Sequence, residues 1–164
     1  MTDTPNDSPI KPSLKTRLWL RTLDRRPSSA AMYLEDETGR LLIVKANYKK
    51  HWSLPGGIID KGEMPLAAAI RETKEEVGLV IDPADVTFVA VVGRRSSLFD
   101  SYQFVFSAPL HAYQLSQVSL QESEIDEYAL VTRDEIESGN RNYGLVIRNW
   151  ALGKSGYSEQ QLGD

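Results

Sequence analysis

The stretch Gly57–Leu79, GIIDKGEMPLAAAIRETKEEVGL, constrains this chain more than any other part of it. Pro65 is a favoured first-turn residue and Gly78 a natural stop, so the segment predicts a helix over Pro65–Val77. On that helix Glu72 and Glu76 stand one turn apart, with Glu75 three residues from Glu72. Like charges at this spacing oppose each other by about 0.2–0.5 kcal/mol a pair. Only Arg71 and Lys74 are near enough in sequence to offset them. A positive charge is therefore expected against the acids, and oxygen-only ligands suit a hard divalent cation, Mg²⁺ or Mn²⁺. Ala67, Ile70, the stem of Lys74 and Val77 are expected to form the apolar stripe, with the acids on another face.

The spacing carries a second message. Gly57, Glu63, Arg71, Glu72, Glu75, Glu76, Gly78 and Leu79 occupy, without insertion, the fixed positions of G-x5-E-x7-R-E-U-x-E-E-x-G-U, where U is a bulky aliphatic residue. The segment resembles the Nudix box, and the approach Trp52-Ser53-Leu54-Pro55-Gly56-Gly57 resembles the family's sequence before it. The departure is Thr73 in the first aliphatic slot. Threonine is nearly isosteric with valine, so packing should survive, and a buried hydroxyl would need a carbonyl one turn back. The resemblance implies an α/β (α+β) Nudix fold, a mixed β-sheet sandwiched between helices. It also implies a MutT-like hydrolase that cleaves a diphosphate linkage in a nucleoside diphosphate derivative with metal-bound water.

The whole chain is compatible with that class. Its 164 residues suffice for one domain with a real core. A net charge of −4, from 23 acids and 19 bases, argues against a broad nucleic-acid surface while leaving room for a local basic pocket. With no cysteine there is neither a disulfide framework nor a thiolate zinc site. No apolar run approaches the ~20 residues that span a bilayer, and the first residues have no signal-peptide core. A cytoplasmic protein with no membrane partner is expected.

Residues 1–13, rich in Pro, Asp, Thr and Ser, read as a disordered tail. Residues 14–153 read as the Nudix domain, and 154–164 as a polar, frayed tail. Leu14–Leu23 fits an edge strand or a short helix. Ser28–Glu35 and Leu41–Ala46 around Asp36-Glu37-Thr38-Gly39 read as a β-hairpin, and Lys45–His51 as a polar loop. Pro55-Gly56-Gly57 reads as a tight turn. Val86–Val92, Ser101–Ser107 and Ile125–Val131 read as strands, and Arg133–Glu137 and Tyr143–Leu152 as helices.

By resemblance, Glu72, Glu75 and Glu76 are the metal ligands, with the Gly57 carbonyl a further one. Glu63 completes the cluster or holds a metal-bound water, and Arg71 orients the acids. Many members add a carboxylate from a downstream loop; Glu124 is the first candidate for ligand or general base and Glu122 the second, against the plain alternative of an acidic turn. Trp52, Arg94 and Arg95 are candidate substrate contacts, each weighed against an ordinary place in the core or in solvent. Tyr48, Lys49 and Lys50 could line the substrate mouth but read more simply as a solvated loop, His51 as a loop or surface histidine, and Arg25 and Arg26 are weaker candidates still.

A proline that marks ADP-ribose enzymes is missing between Val92 and Gln103. Tyr102 lies too far on for the tyrosine of dinucleotide polyphosphate enzymes. By elimination the expected substrate is a nucleoside triphosphate or related nucleotide, with nucleotide sugars and dinucleotide polyphosphates as alternatives. A nucleotide sensor without turnover is the competing class, opposed by the intact acid set. A Nudix-like isomerase is rejected because it uses a cysteine. The resemblance leaves a homodimer open.

Overall fold

The structure, a computed structural model, describes residues 12–162. Its elements are α1 (Leu14–Thr22), β1 (Ser28–Asp36), β2 (Leu41–Ala46), β3 (Gly56–Ile58), α2 (Pro65–Val77), β4 (Thr87–Arg95), β5 (Asp100–Leu110), α3 (Ala112–Leu115), β6 (Ile125–Val131), α4 (Arg133–Ser138), α5 (Leu145–Ala151) and β7 (Gly156–Gln161). The strands form one mixed sheet in the order β6-β2-β1-β5-β4-β7, with β3 also pairing β1. The β1–β5 and β4–β7 pairs are parallel and the others antiparallel.

Strand β1 shows how the sheet is sandwiched. Alternate side chains point to opposite faces. Ala30, Met32 and Leu34 join Leu42, Val44, Ala68, Ala69 and Val77 under α2. Ala31 and Tyr33 join Leu41, Ile43, Val105, Val146, Ile147 and Trp150 under α4 and α5. A strand buried on both faces needs the near-continuous apolar run that β1 and β2 carry. The fold is thus the mixed sheet between helices that the sequence implies. Among the described residues no helix is long and apolar enough to cross a membrane.

Several expectations require correction. Pro55-Gly56-Gly57 does not simply turn: Gly56–Ile58 forms β3, pairing Ala31 with Gly56. A Cβ on Gly56 would lie 2.3 Å from the Ala30 carbonyl oxygen, so only glycine lets the two backbones approach. On α2 the buried stripe is Ala68, Ala69, Thr73, Glu76 and Val77; of the expected stripe Val77 is buried and Ile70 packs half-buried against the core, but Ala67 and Lys74 are exposed. The helix is turned so that Glu76 sits inside. The polar segment 154–164 carries β7, which pairs parallel with β4. Backbone hydrogen bonding suffices for an edge strand without an apolar run. Leu14–Thr22 is a helix capped by Ser13, with no buried residue. The tail expected over residues 1–13 lies outside the described residues except for its last two.

Candidate active site

The site is built where β3 meets α2. Gly57 permits it: a Cβ there would stand 2.5 Å from the Glu72 carboxyl carbon. Thr73, in the aliphatic slot, is buried and donates to the Ala69 carbonyl at 2.8 Å, the partner its hydroxyl required.

Arg71 organises the outer acids. Its Nε donates to Glu63 Oε1 (2.9 Å) and its Nη2 to Glu63 Oε2 (2.9 Å). Nη1 donates to Glu72 (2.7 Å) and Glu75 (3.0 Å), and Nη2 also to the Ile58 carbonyl (3.1 Å). One guanidinium fork thus ties three box glutamates to β3. The Arg71 hydrogen bonds, followed by the Asp60 N–H, hold the Glu63 carboxyl down at about 2.

Glu76 is different. It is 2% exposed and forms no ion pair among the described residues; it accepts the Gly56 N–H at 2.8 Å. Burial pushes its carboxyl up to about 7, against the pull of Gly56 and Lys49, and the charges of Glu72 and Glu124 add to the rise. Burial likewise raises Glu72, which feels Glu75 and Glu124.

Glu124 arrives by a fastened loop. The Ser119 and Gln121 N–H groups donate to the Val77 and Glu76 carbonyls at the end of α2 (3.1 and 3.2 Å), and the Asn47 N–H donates to the Glu124 carbonyl (2.9 Å). Its charge acts on both Glu72 and Glu76, and its side chain, like that of Glu122, is exposed. Among the described residues no three acidic or histidine side chains converge as a closed cation cage. Three carboxylates are drawn toward Arg71 instead.

The other expected contacts separate. Trp52 is 8% exposed within the core and is capped by the Arg141 guanidinium 4.7 Å from its ring centre, so it is a core residue. Arg95 is exposed and pairs with Asp100 (3.3 Å), which also holds Arg26 (3.0 Å). Arg94 alone of the three turns into a cavity of about 290 Å³ next to Gly56. Lys49 and His51, read from sequence as loop residues, line the same cavity, as do Arg148 and Gln160. Lys49 thus takes the less favoured of its two sequence readings, a lining residue rather than a solvated loop.

A family model, the NUDIX domain, matches residues 25–149. The chain belongs to the NUDIX family. An uncharacterized Nudix hydrolase of Listeria monocytogenes is 33% identical over 116 residues, covering 63% of this chain and 62% of that protein. The chain therefore spans less than two thirds of that relative's length. An RNA pyrophosphohydrolase of Halorhodospira halophila is 36% identical over 69 residues, 42% of this chain and 36% of that protein. A crystal structure of a MutT NUDIX hydrolase from Burkholderia pseudomallei superposes with a TM-score of 0.66 at 19% identity, over 80% of this chain and 98% of that one, a likeness of fold. In this NUDIX domain the matched residues contain β3, α2 and the Glu124 loop, while β7 lies beyond them.

Proposed function

We infer that this NUDIX protein is a pyrophosphohydrolase that cuts a diphosphate linkage in a nucleotide, with a nucleoside triphosphate or related nucleotide as the leading substrate. The observation that carries the reading is Glu76: a buried carboxylate without an ion pair, beside Glu72 and within reach of the Glu124 charge. Such an arrangement is costly unless a cation joins it. The donor set, oxygens only, fits Mg²⁺ or Mn²⁺. Glu72, Glu75 and Glu76 would hold the ion, with the Gly57 carbonyl and Glu63 as further contributors. When bound, it supplies charge neutralisation for the diphosphate oxygens and an acidified water.

The chain's own groups do the rest. Arg71 keeps Glu63, Glu72 and Glu75 oriented through charge-assisted hydrogen bonds. Glu124, on its fastened loop, takes the proton of the attacking water; its reach to the acids favours it over Glu122. The pyrophosphohydrolase name of the Halorhodospira relative supports the reaction class. The lack of a membrane-crossing helix among the described residues is in keeping with a cytoplasmic enzyme acting on a small molecule.

The test is phosphate release, with and without added pyrophosphatase, over nucleoside triphosphates, dinucleotide polyphosphates, nucleotide sugars and ADP-ribose. Turnover with Mg²⁺ or Mn²⁺ that stops in EDTA is expected, strongest for triphosphates. Nucleotide binding without turnover of any class would replace the enzyme by a sensor.

A further inference from the structure

Helix α1 is an element that the core does not use. None of its nine residues is buried, and Leu14, Leu18 and Trp19 are 72%, 54% and 58% exposed. Leu14 and Leu18 stand one turn apart with Trp19 beside them, so the three share a side of the helix. Leu20, also exposed, lies away from that stripe. Nine residues are too few to hold a helix in water on propensity, and helical stability comes mostly from packing an apolar face. The Ser13 cap satisfies one end of α1 but covers no apolar side chain. The cover for the stripe therefore comes from outside the core.

Charge indicates what that cover is. Leu14–Arg26 carries Lys15, Arg17, Arg21, Arg25 and Arg26 against the single acid Asp24, in a chain of net charge −4. Arg17 and Arg21 are one turn apart, a spacing at which like charges destabilise a helix. Among the described residues Lys15, Arg17, Arg21 and Arg25 form no ion pair, while Arg26 pairs with Asp24 and Asp100. A second apolar point stands at the same end of the molecule. The turn between Arg95 and Asp100, which pair across β4 and β5, leaves Leu98 and Phe99 exposed. Arg26, between α1 and β1, reaches that end through Asp100 (3.0 Å) and the Tyr102 hydroxyl (3.2 Å).

Apolar and basic side chains together, with no acid on the helix, suit a bilayer with anionic headgroups. Leucine and tryptophan enter the headgroup boundary while lysine and arginine stems extend to the phosphates. A nucleic acid would answer the charge but leave the leucines in water. A second copy packed α1 against α1 would set arginines against arginines. The expectation of no membrane partner rested on the lack of a spanning run, and a helix lying on the surface needs none.

We propose that α1 and the Leu98–Phe99 turn dock this protein on the surface of a bilayer carrying anionic phospholipids, with Trp19 at the level of the headgroups. The helix lies along the surface and does not cross it. Helix α1 precedes the family match at residues 25–149, so the shared domain does not account for it. The docking is independent of the chemistry at Glu76.

The chain carries its own probe. Of its three tryptophans Trp52 and Trp150 are buried, so a shift in emission on binding reports Trp19. The full chain is mixed with vesicles of phosphatidylglycerol and phosphatidylcholine in equal parts, or of phosphatidylcholine alone, and followed by co-sedimentation and fluorescence. Binding to the anionic vesicles with a blue shift is expected, weakening as salt is added. Arg17→Gln combined with Arg21→Gln should weaken it about tenfold or more. Leu14→Ser combined with Leu18→Ser should weaken it about as much. All four positions are exposed, so the melting temperature should not move. A chain that stays in the supernatant with anionic vesicles overturns the proposal. So does sedimentation that leaves Trp19 emission unchanged or ignores these variants, and so does equal binding to both kinds of vesicle. Self-association abolished by the leucine variants, without vesicle binding, would give the stripe to a second copy instead. Capture of RNA without vesicle binding would give it to a nucleic acid.

Discussion

Glu76 and the two glycines before the helix divide the labour of the site at the scale of single residues. Glu76→Gln removes the charge and keeps the shape. Its kcat at saturating Mg²⁺ should fall about a hundredfold, while the melting temperature in EDTA stays level or rises, because a buried charge has gone. Near-normal turnover would remove Glu76 from the machinery. The glycines should separate stability from activity. In Gly56→Ala the new Cβ meets β1 backbone, 2.3 Å from the Ala30 oxygen and 2.6 Å from Ala31 Cα, so a loss of about 3 kcal/mol or more is expected in denaturant melts. In Gly57→Ala the clash is with the movable end of Glu72. That variant should fold with a loss of about 1 kcal/mol or less and lose activity as its carboxylate is pushed aside. Equal damage to both properties in the two variants would contradict this division. The box residues were legible in sequence because their spacing is fixed within one helix and the turn before it. The inward aim of Glu76 was not, since helix rotation is set by packing against β1 and β3.

The elements were legible where local chemistry marks their ends. Pro65 and Gly78 bound α2, and the run Ile125–Val131 read as a strand matches β6 to the residue. They were not where the partner strand does the work. β3 contains two glycines and β7 reads GYSEQQ, so neither announces itself through an apolar period. The β1–β2 hairpin lies at the legible end, and its turn is held by Asp36. That carboxylate accepts from the Thr38 N–H and hydroxyl and from the Arg40 N–H and Nε, at 2.7–2.9 Å. Burial alone would raise it, but the Arg40 and Thr38 hydrogen bonds outweigh burial and hold it at about 2. The folded value lies below the ~3.9 of an unfolded aspartate. Its contribution is therefore complete above about pH 4 and is lost as pH falls through about 2. Asp36→Ala should cost about 1–3 kcal/mol at pH 7. It should also flatten the fall in stability between pH 4 and pH 2 seen for the parent in urea titrations. A parent and variant with parallel pH profiles would show that the turn does not depend on this charge.

Over the whole molecule, the box acids and the Lys49–Arg94–Arg148 cavity meet at Gly56, one negative and the other positive. Arg94 was legible in the sequence as a candidate contact, but its meeting with Lys49 and Arg148 was not, because the three come from distant parts of the chain. Mg²⁺ should therefore stabilise the fold without any nucleotide. A concentration a hundred times the dissociation constant would add about 2.7 kcal/mol, read as a higher melting temperature than in EDTA. Glu76→Gln should reduce that rise, and a parent insensitive to Mg²⁺ would undo the assignment of the acids. The sheet that carries both sides is joined at its centre by β1 against β5, parallel from Ser28 beside Tyr102 to Asp36 beside Leu110. A parallel partner cannot be supplied by a hairpin, so β1 must wait for a strand made much later in synthesis. Until then Met32 and Leu34 lack Phe106 and Ala108, their partners on β5, and that edge of β1 is open to other strands. Closure of that long loop, rather than formation of α2, is expected to limit folding, so a substitution in the β1–β5 seam should slow refolding in stopped-flow measurements more than one in α2.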